Sequence, residues 1–172
     1  IAWLSALAGF PVRLYDPDPD CLDRAVGLVR DSVDEAVAKG HLHAGDRQRA
    51  LDGILATSDL DEAVTHADLV IEASPSGAER RAVLSRLGET CRASALLATT
   101  GLAAPGSLAT GVPQPGRIVG LRVPEPMPAA GVLAIVAGPE TDPEALHLAL
   151  GYAARLGHAL ALAAGVPVET RA

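Results

Sequence analysis

Asp16 has the residue type and the position to bind a sugar hydroxyl. It ends an alternating stretch over residues 11–16 that predicts a strand, and a loop and a long helix follow. In a dinucleotide-binding sheet, an acid at the end of the second strand accepts hydrogen bonds from ribose hydroxyls. A carboxylate there favours NAD over NADP, because the 2′-phosphate of NADP would meet a negative charge. The acidic run at 16–20 equally fits a turn or helix-cap role for Asp16, and both interpretations stay open.

Arg122 and Thr100 are the other polar candidates, each at the end of a predicted strand. An arginine stays protonated at any working pH, so Arg122 cannot accept a proton as a general base. An ion pair with Glu125 at the surface is favoured for Arg122 over contact with a substrate phosphate. Thr100 is favoured as a turn residue over a substrate ligand. The histidines have neither metal-ligand spacing nor an acid partner, so no metal site is predicted.

Hydrophobic periodicity and turn residues predict alternating helices and strands. The predicted strands are 11–16, 54–57, 67–73, 95–99, 117–122, 132–136 and 159–163. The predicted helices are 1–9, 18–39, 46–51, 77–90, 105–110 and 141–156, with a short helix starting at Ser58. The apolar strand 67–73 is of the kind that is buried on both faces of a parallel sheet. This order predicts an α/β fold with a doubly wound, mainly parallel sheet.

Composition excludes several classes of function. The chain of 172 residues has a net charge of −7 and no basic run, which argues against nucleic-acid binding. No apolar run approaches the ~18 residues of a membrane span. Cys21 and Cys91 match no metal spacing and are interpreted as reduced, buried thiols, which predicts a cytoplasmic protein. The first residues have helical spacing and no initiator Met, so we expect a fragment.

No glycine-rich G-x-G-x-x-G segment occurs in the sequence. Gly9 does not supply one, because it ends a predicted helix and does not begin one. We therefore expect the first strand of the doubly wound sheet and its phosphate loop to lie outside this chain. The strands that end near Asp16 and Ala73 would then each lack one neighbour. On this basis we expect the 172-residue chain alone to fold poorly and to bind no dinucleotide.

The chain resembles the NAD-binding domain of 3-hydroxyacyl-CoA dehydrogenases over essentially its whole length. The similarity includes ADLVIEA at 67–73 and a G-L-x-x-x-x-P-x-P stretch at 120–128. The ATTGL stretch at 98–102 is also similar to the carnitine dehydrogenase branch. The resemblance implies one Rossmann-type domain over 1–172 and hydride transfer from a 3-hydroxyacyl thioester, or a similar hydroxy acid, to NAD in fatty acid metabolism. It also implies a helical C-terminal domain, absent here, that completes the substrate cleft and makes a homodimer.

The chain departs from the family at the positions that carry the chemistry. Arg122 stands at the position of the family's catalytic histidine, Glu125 at that of an asparagine, and Ala134 at that of the glutamate that supports the histidine. Ser76 replaces a glutamate, and Arg81 keeps a cation near the position of a lysine. Arg80 and Arg81 are otherwise interpreted as a solvated helix face. The resemblance implies cofactor contacts at these residues: Asp16, Ala73, Ser74, Ser76, Arg81 and Thr100.

The sequence is compatible with three functions. The first is a relative of the dehydrogenases that has lost the usual general base. The second is a catalytically inactive dinucleotide-binding or regulatory module. The third is an oxidoreductase in which Arg122 acts as an electrophile beside a carbonyl group.

Overall fold

Strands and helices alternate in the order that the sequence predicts. The computed structural model describes residues 1–101, 104–122, 132–157 and 159–164. The strands are β1 Val12–Tyr15, β2 Ile54–Thr57, β3 Leu69–Glu72, β4 Leu96–Thr99, β5 Ile118–Arg122, β6 Val132–Ala137 and β7 Ala159–Ala164. The helices are α1 Ala2–Leu7, α2 Pro19–Ala38, α3 Arg47–Asp52, α4 Leu60–Val64, α5 Gly77–Thr90, α6 Pro105–Ala109 and α7 Pro143–Arg155. Every predicted strand and helix is present, with ends shifted by a few residues.

The described residues form two compact units, which divide near residue 63. In the first unit, β1 and β2 make a parallel pair in which Val12 lies opposite Ile54. In the second, the strand order is β3-β4-β5-β6-β7. Its ladders are parallel except for the antiparallel pair β5 and β6. The prediction of an α/β fold with a mainly parallel sheet is confirmed.

Local sequence explains where the helices begin and end. Asp18 caps α2 by accepting a hydrogen bond from the backbone N of Asp20 at 2.9 Å, and proline occupies the first helical position. Gly9 follows α1 with φ of 88°, a conformation that favours glycine. The prediction that Ser58 starts α4 is wrong by one residue. Asp59 accepts the hydrogen bonds from the first free backbone N–H groups, at 2.9 and 3.2 Å, because a carboxylate is the stronger acceptor there.

Each unit has its own core of aliphatic side chains. In the first unit, Val33 of α2 and Ala50 of α3 are completely buried. In the second, Leu84 of α5 and Leu97 of β4 are completely buried. The prediction that β3 is buried on both faces is wrong, because its three apolar residues are only half-buried. The reason is that β3 lies at the edge of its sheet, with β4 as its one partner among the described strands.

The strands that end at Asp16 and near Ala73 each have one described neighbour, as expected. β1 pairs with β2 and β3 pairs with β4, and neither β1 nor β3 has a second ladder within the described ranges.

The two cysteines differ in burial. Cys91 is buried, and burial raises the pKa of its thiol. Cys21 is only half-buried, contrary to prediction, because it lies in the first turn of α2 and bonds to the exposed Asp18 carboxylate.

Arg117 ties the end of α5 to the start of β5. It is 6% exposed, and its two terminal nitrogens donate to the carbonyl groups of Gly88 at 2.7 Å and Arg92 at 2.6 Å. Replacing Arg117 with Met should lower the free energy of unfolding by about 2–3 kcal/mol, because two part-buried hydrogen bonds from a charged donor to carbonyl groups are lost. Urea unfolding measures this change, with the exposed Arg86→Met as control. Equal midpoints for the two variants would contradict the assigned role.

Candidate active site

The carboxyl ends of three neighbouring strands meet at one edge of the sheet in the second unit. Glu72, Thr99 and Arg122 are the last residues of β3, β4 and β5. These strands are parallel, and Glu72 lies opposite Thr99 in the ladder. In open α/β sheets, ligands bind outside this edge. The three side chains therefore belong to one candidate site.

Glu72 is the centre of the hydrogen-bond network at this edge. Its side chain is 1% exposed. Oε2 accepts a hydrogen bond from Thr99 Oγ1 at 2.8 Å, and Oε1 accepts one from the backbone N of Ser74. Its carbonyl oxygen accepts from the backbone N of Thr100 at 3.0 Å and from Thr100 Oγ1 at 3.3 Å. One buried residue therefore fixes the loop after β3 and the turn after β4.

Arg80 supplies the positive charge that this buried carboxylate requires. Its Nε lies 2.8 Å from Glu72 Oε2, although its N–H is not aligned for a hydrogen bond. Its Nη2 donates to the carbonyl oxygen of Ser74. The prediction of a solvated helix face is wrong for Arg80, whose side chain is 12% exposed. Arg81 is exposed.

Arg122 and Ala134 are direct partners in the antiparallel ladder of β5 and β6. Directly opposite residues place their Cβ atoms about 4.5–5.5 Å apart on the same face. Arg122 is half-buried, and its Nη1 donates to the carbonyl oxygen of Gly101. Burial lowers the pKa of Arg122, and the nearby Arg80 guanidinium lowers it further. Glu125, the predicted partner of Arg122, lies outside the described residues.

The remaining predicted cofactor residues occupy both units. Asp16 is half-buried after β1, and its Oδ1 accepts from the backbone N of Asp18 at 2.9 Å. This is the turn role that the sequence allows for Asp16, and the contact with ribose hydroxyls stays a prediction. Ser76 caps α5, accepting from the backbone N of Glu79 at 3.2 Å and donating to its carboxylate at 2.8 Å. Ala73 is exposed at the end of β3.

In the second unit Ser74 and Thr100 contact Glu72, and Arg122 contacts Gly101, the residue after Thr100. Sequence reasoning overlooked Glu72 and assigned Arg80 to the surface. One signal could have found both residues: a carboxylate that ends an apolar strand needs a buried donor or cation.

Among the described residues, no cluster of three or more His, Cys, Asp and Glu side chains could hold a metal ion. Within the same ranges, no helix has the length and apolar character required to cross a membrane.

The parallel strands and the polar groups at their carboxyl ends define a Rossmann-type nucleotide-binding fold. The family profile described as "3-hydroxyacyl-CoA dehydrogenase, NAD binding domain" matches residues 1–164. The chain therefore belongs to this family, the NAD-binding domains of 3-hydroxyacyl-CoA dehydrogenase-like oxidoreductases.

Curated relatives agree with this assignment. The chain is 31% identical over 149 residues to 3-hydroxyadipyl-CoA dehydrogenase of Escherichia coli, covering 86% of this chain and 31% of that protein. It is 27% identical over 169 residues to 3-hydroxybutyryl-CoA dehydrogenase of Bradyrhizobium diazoefficiens, covering 97% and 57%. The chain thus spans 31% of the length of the first relative and 57% of the length of the second.

Solved structures have the same fold. The crystal structure of 3-hydroxybutyryl-CoA dehydrogenase from Escherichia coli superimposes with a TM-score of 0.88 at 27% identity. The match covers 96% of this chain and 35% of that one. A diketoreductase structure also gives a TM-score of 0.88, at 28% identity, over 94% of this chain and 58% of that one.

Proposed function

We propose that the full-length protein binds NAD through this domain and oxidises 3-hydroxyacyl thioesters, or similar hydroxy acids, far more slowly than dehydrogenases that retain the His and Glu pair. The observation that carries this proposal is the pairing of Arg122 with Ala134 across β5 and β6. The positions that the resemblance assigns to base and supporting acid are direct neighbours, and neither holds a group that can take a proton.

The chemistry of the reaction explains the expected loss. When bound, NAD accepts the hydride from the carbon that carries the hydroxyl group. The hydroxyl proton must leave to a base at the same time, and an arginine has no free lone pair for it. Arg122 instead donates a hydrogen bond to Gly101. Ala134 offers no carboxylate to orient or charge a base.

A second candidate is a module that binds NAD but performs no turnover. The loss of both members of the pair favours it, because each substitution removes a different half of the proton relay. We further propose that residues 1–172 are the dinucleotide-binding part of the protein. Acyl-CoA or carnitine-like substrates and a homodimer interface would then involve a C-terminal helical part. Titration with NAD, followed by assay with 3-hydroxybutyryl-CoA and with carnitine, separates the candidates.

Asp16 should make the full-length protein prefer NAD to NADP. The Asp16→Ala variant should weaken NAD binding by about 1–3 kcal/mol, because the ribose hydroxyls lose a charged acceptor. Calorimetric titration measures both dissociation constants. The exposed Asp31→Ala on α2 is the control and should leave them unchanged. Tighter binding of NADP than of NAD to the wild type would remove Asp16 from the proposed site.

A further inference from the structure

The side chain of Arg80 lies across the two loops that leave β3 and β4. One side of its guanidinium group contacts Glu72 and the carbonyl oxygen of Ser74. The same guanidinium group also lies against Gly101. A Cβ atom at Gly101 would clash with Nη1 and Cζ of Arg80. Arg80 in this position therefore requires glycine at 101.

Gly101 in turn contacts Arg122, which stands at the position of the family's catalytic histidine. Its carbonyl oxygen accepts a hydrogen bond from Arg122 Nη1. Its backbone N donates to Thr99 Oγ1 at 3.3 Å, and that hydroxyl donates to Glu72. The contacts thus run without a break from the buried carboxylate, through Arg80 and the Gly101 turn, to the end of β5. If Arg80 moved, the Gly101 backbone between Arg80 and Arg122 would be free to move, and the position of Arg122 would change with it.

We propose that Arg80 is a positioning residue, which holds the Gly101 turn and, through it, the side chain at position 122 at the carboxyl edge of the sheet. In this role the Arg80 guanidinium contacts Glu72, Ser74 and Gly101, and it binds no ligand group. The proposal rests on the proposed function in one respect, which is that dinucleotide and substrate meet at this edge of the sheet. The contacts themselves are independent of any ligand.

The test places a titrating group at position 122 of the full-length protein. In an Arg122→His background, NMR titration gives the pKa of the new imidazole, which is identified by comparison with the parent protein. The Arg80 guanidinium disfavours a second positive charge nearby, so Arg80→Met should raise this pKa by about one unit. Gly101→Ala should also raise it, because the added methyl group forces the guanidinium off the turn. The two changes together should have no greater effect than Arg80→Met alone.

The control is Arg86→Met, which removes an exposed arginine from the same helix and should leave the imidazole pKa unchanged. An imidazole pKa that is indifferent to Arg80→Met, or equally sensitive to Arg86→Met, would overturn the proposal. So would additive effects of Arg80→Met and Gly101→Ala. If Arg80→Met does not fold, Gly101→Ala alone decides, by raising the pKa or leaving it unchanged. The wild-type protein is also titrated with NAD. Absence of NAD binding would count against the proposed function, and the measured imidazole pKa would still test the role of Arg80.

Discussion

Replacing Arg122 with His and Ala134 with Glu together is expected to raise NADH formation from 3-hydroxybutyryl-CoA by about 10²–10⁴-fold. The two positions are direct partners in the β5–β6 ladder. A glutamate at 134 can therefore reach and orient an imidazole at 122, which then accepts the hydroxyl proton. The measurement is initial-rate absorbance of NADH with the full-length protein, at saturating NAD.

The single substitutions are the matched controls for this gain. Arg122→His alone should recover only part of the rate, because the imidazole lacks the carboxylate that stabilises its charged form. Ala134→Glu alone should recover nothing, because the arginine opposite would pair with the new carboxylate and still accept no proton. A double variant no faster than the wild type would show that positions 122 and 134 do not carry the roles assigned to them.

Replacing Arg80 with Met is expected to lower the free energy of unfolding by about 3–5 kcal/mol. The reason is that the Glu72 carboxylate, 1% exposed, would lose its cation while remaining buried. The double variant Glu72→Gln with Arg80→Met should recover much of this loss, because no buried charge remains. The amide oxygen can still accept from the backbone N of Ser74, and the Thr99 hydroxyl can accept from the amide nitrogen. Urea unfolding monitored by circular dichroism measures all three proteins.

The exposed Arg86→Met is again the control, and it should unfold within about 0.5 kcal/mol of the wild type. A double variant as unstable as Arg80→Met would mean that hydrogen-bond geometry, and not an isolated charge, dominates at this edge of the sheet. An Arg80→Met protein as stable as the wild type would contradict the buried ion pair itself.

The sequence predicts the order and type of the elements because their signals are local. The acid and proline that begin α2 and the glycine that ends α1 act on neighbouring backbone groups only. The assignment of Arg122 and Ala134 to the positions of the family's histidine and glutamate comes from sequence resemblance alone. The structure adds that the two residues are direct partners across β5 and β6. The roles of these two residues in turnover remain predictions.

The part of the site that the sequence did not predict depends on contacts between distant residues. Glu72 and Arg80 belong to a strand and a helix that are joined by a short loop. Nothing in the helical spacing of α5 distinguishes the inward-facing Arg80 from the exposed Arg81. The close approach to Gly101 adds a residue from a third element. Only the packed arrangement of β3, β4 and α5 reveals this group.

The most direct test of the proposed function is NADH formation by the wild-type full-length protein with 3-hydroxybutyryl-CoA, at an NAD concentration already shown by titration to saturate the site. We expect saturable NAD binding together with turnover at least about 100-fold below the ~10 s⁻¹ that is typical of enzymes. Turnover near that typical value, unaffected by Arg122→Ala, would contradict the proposed function.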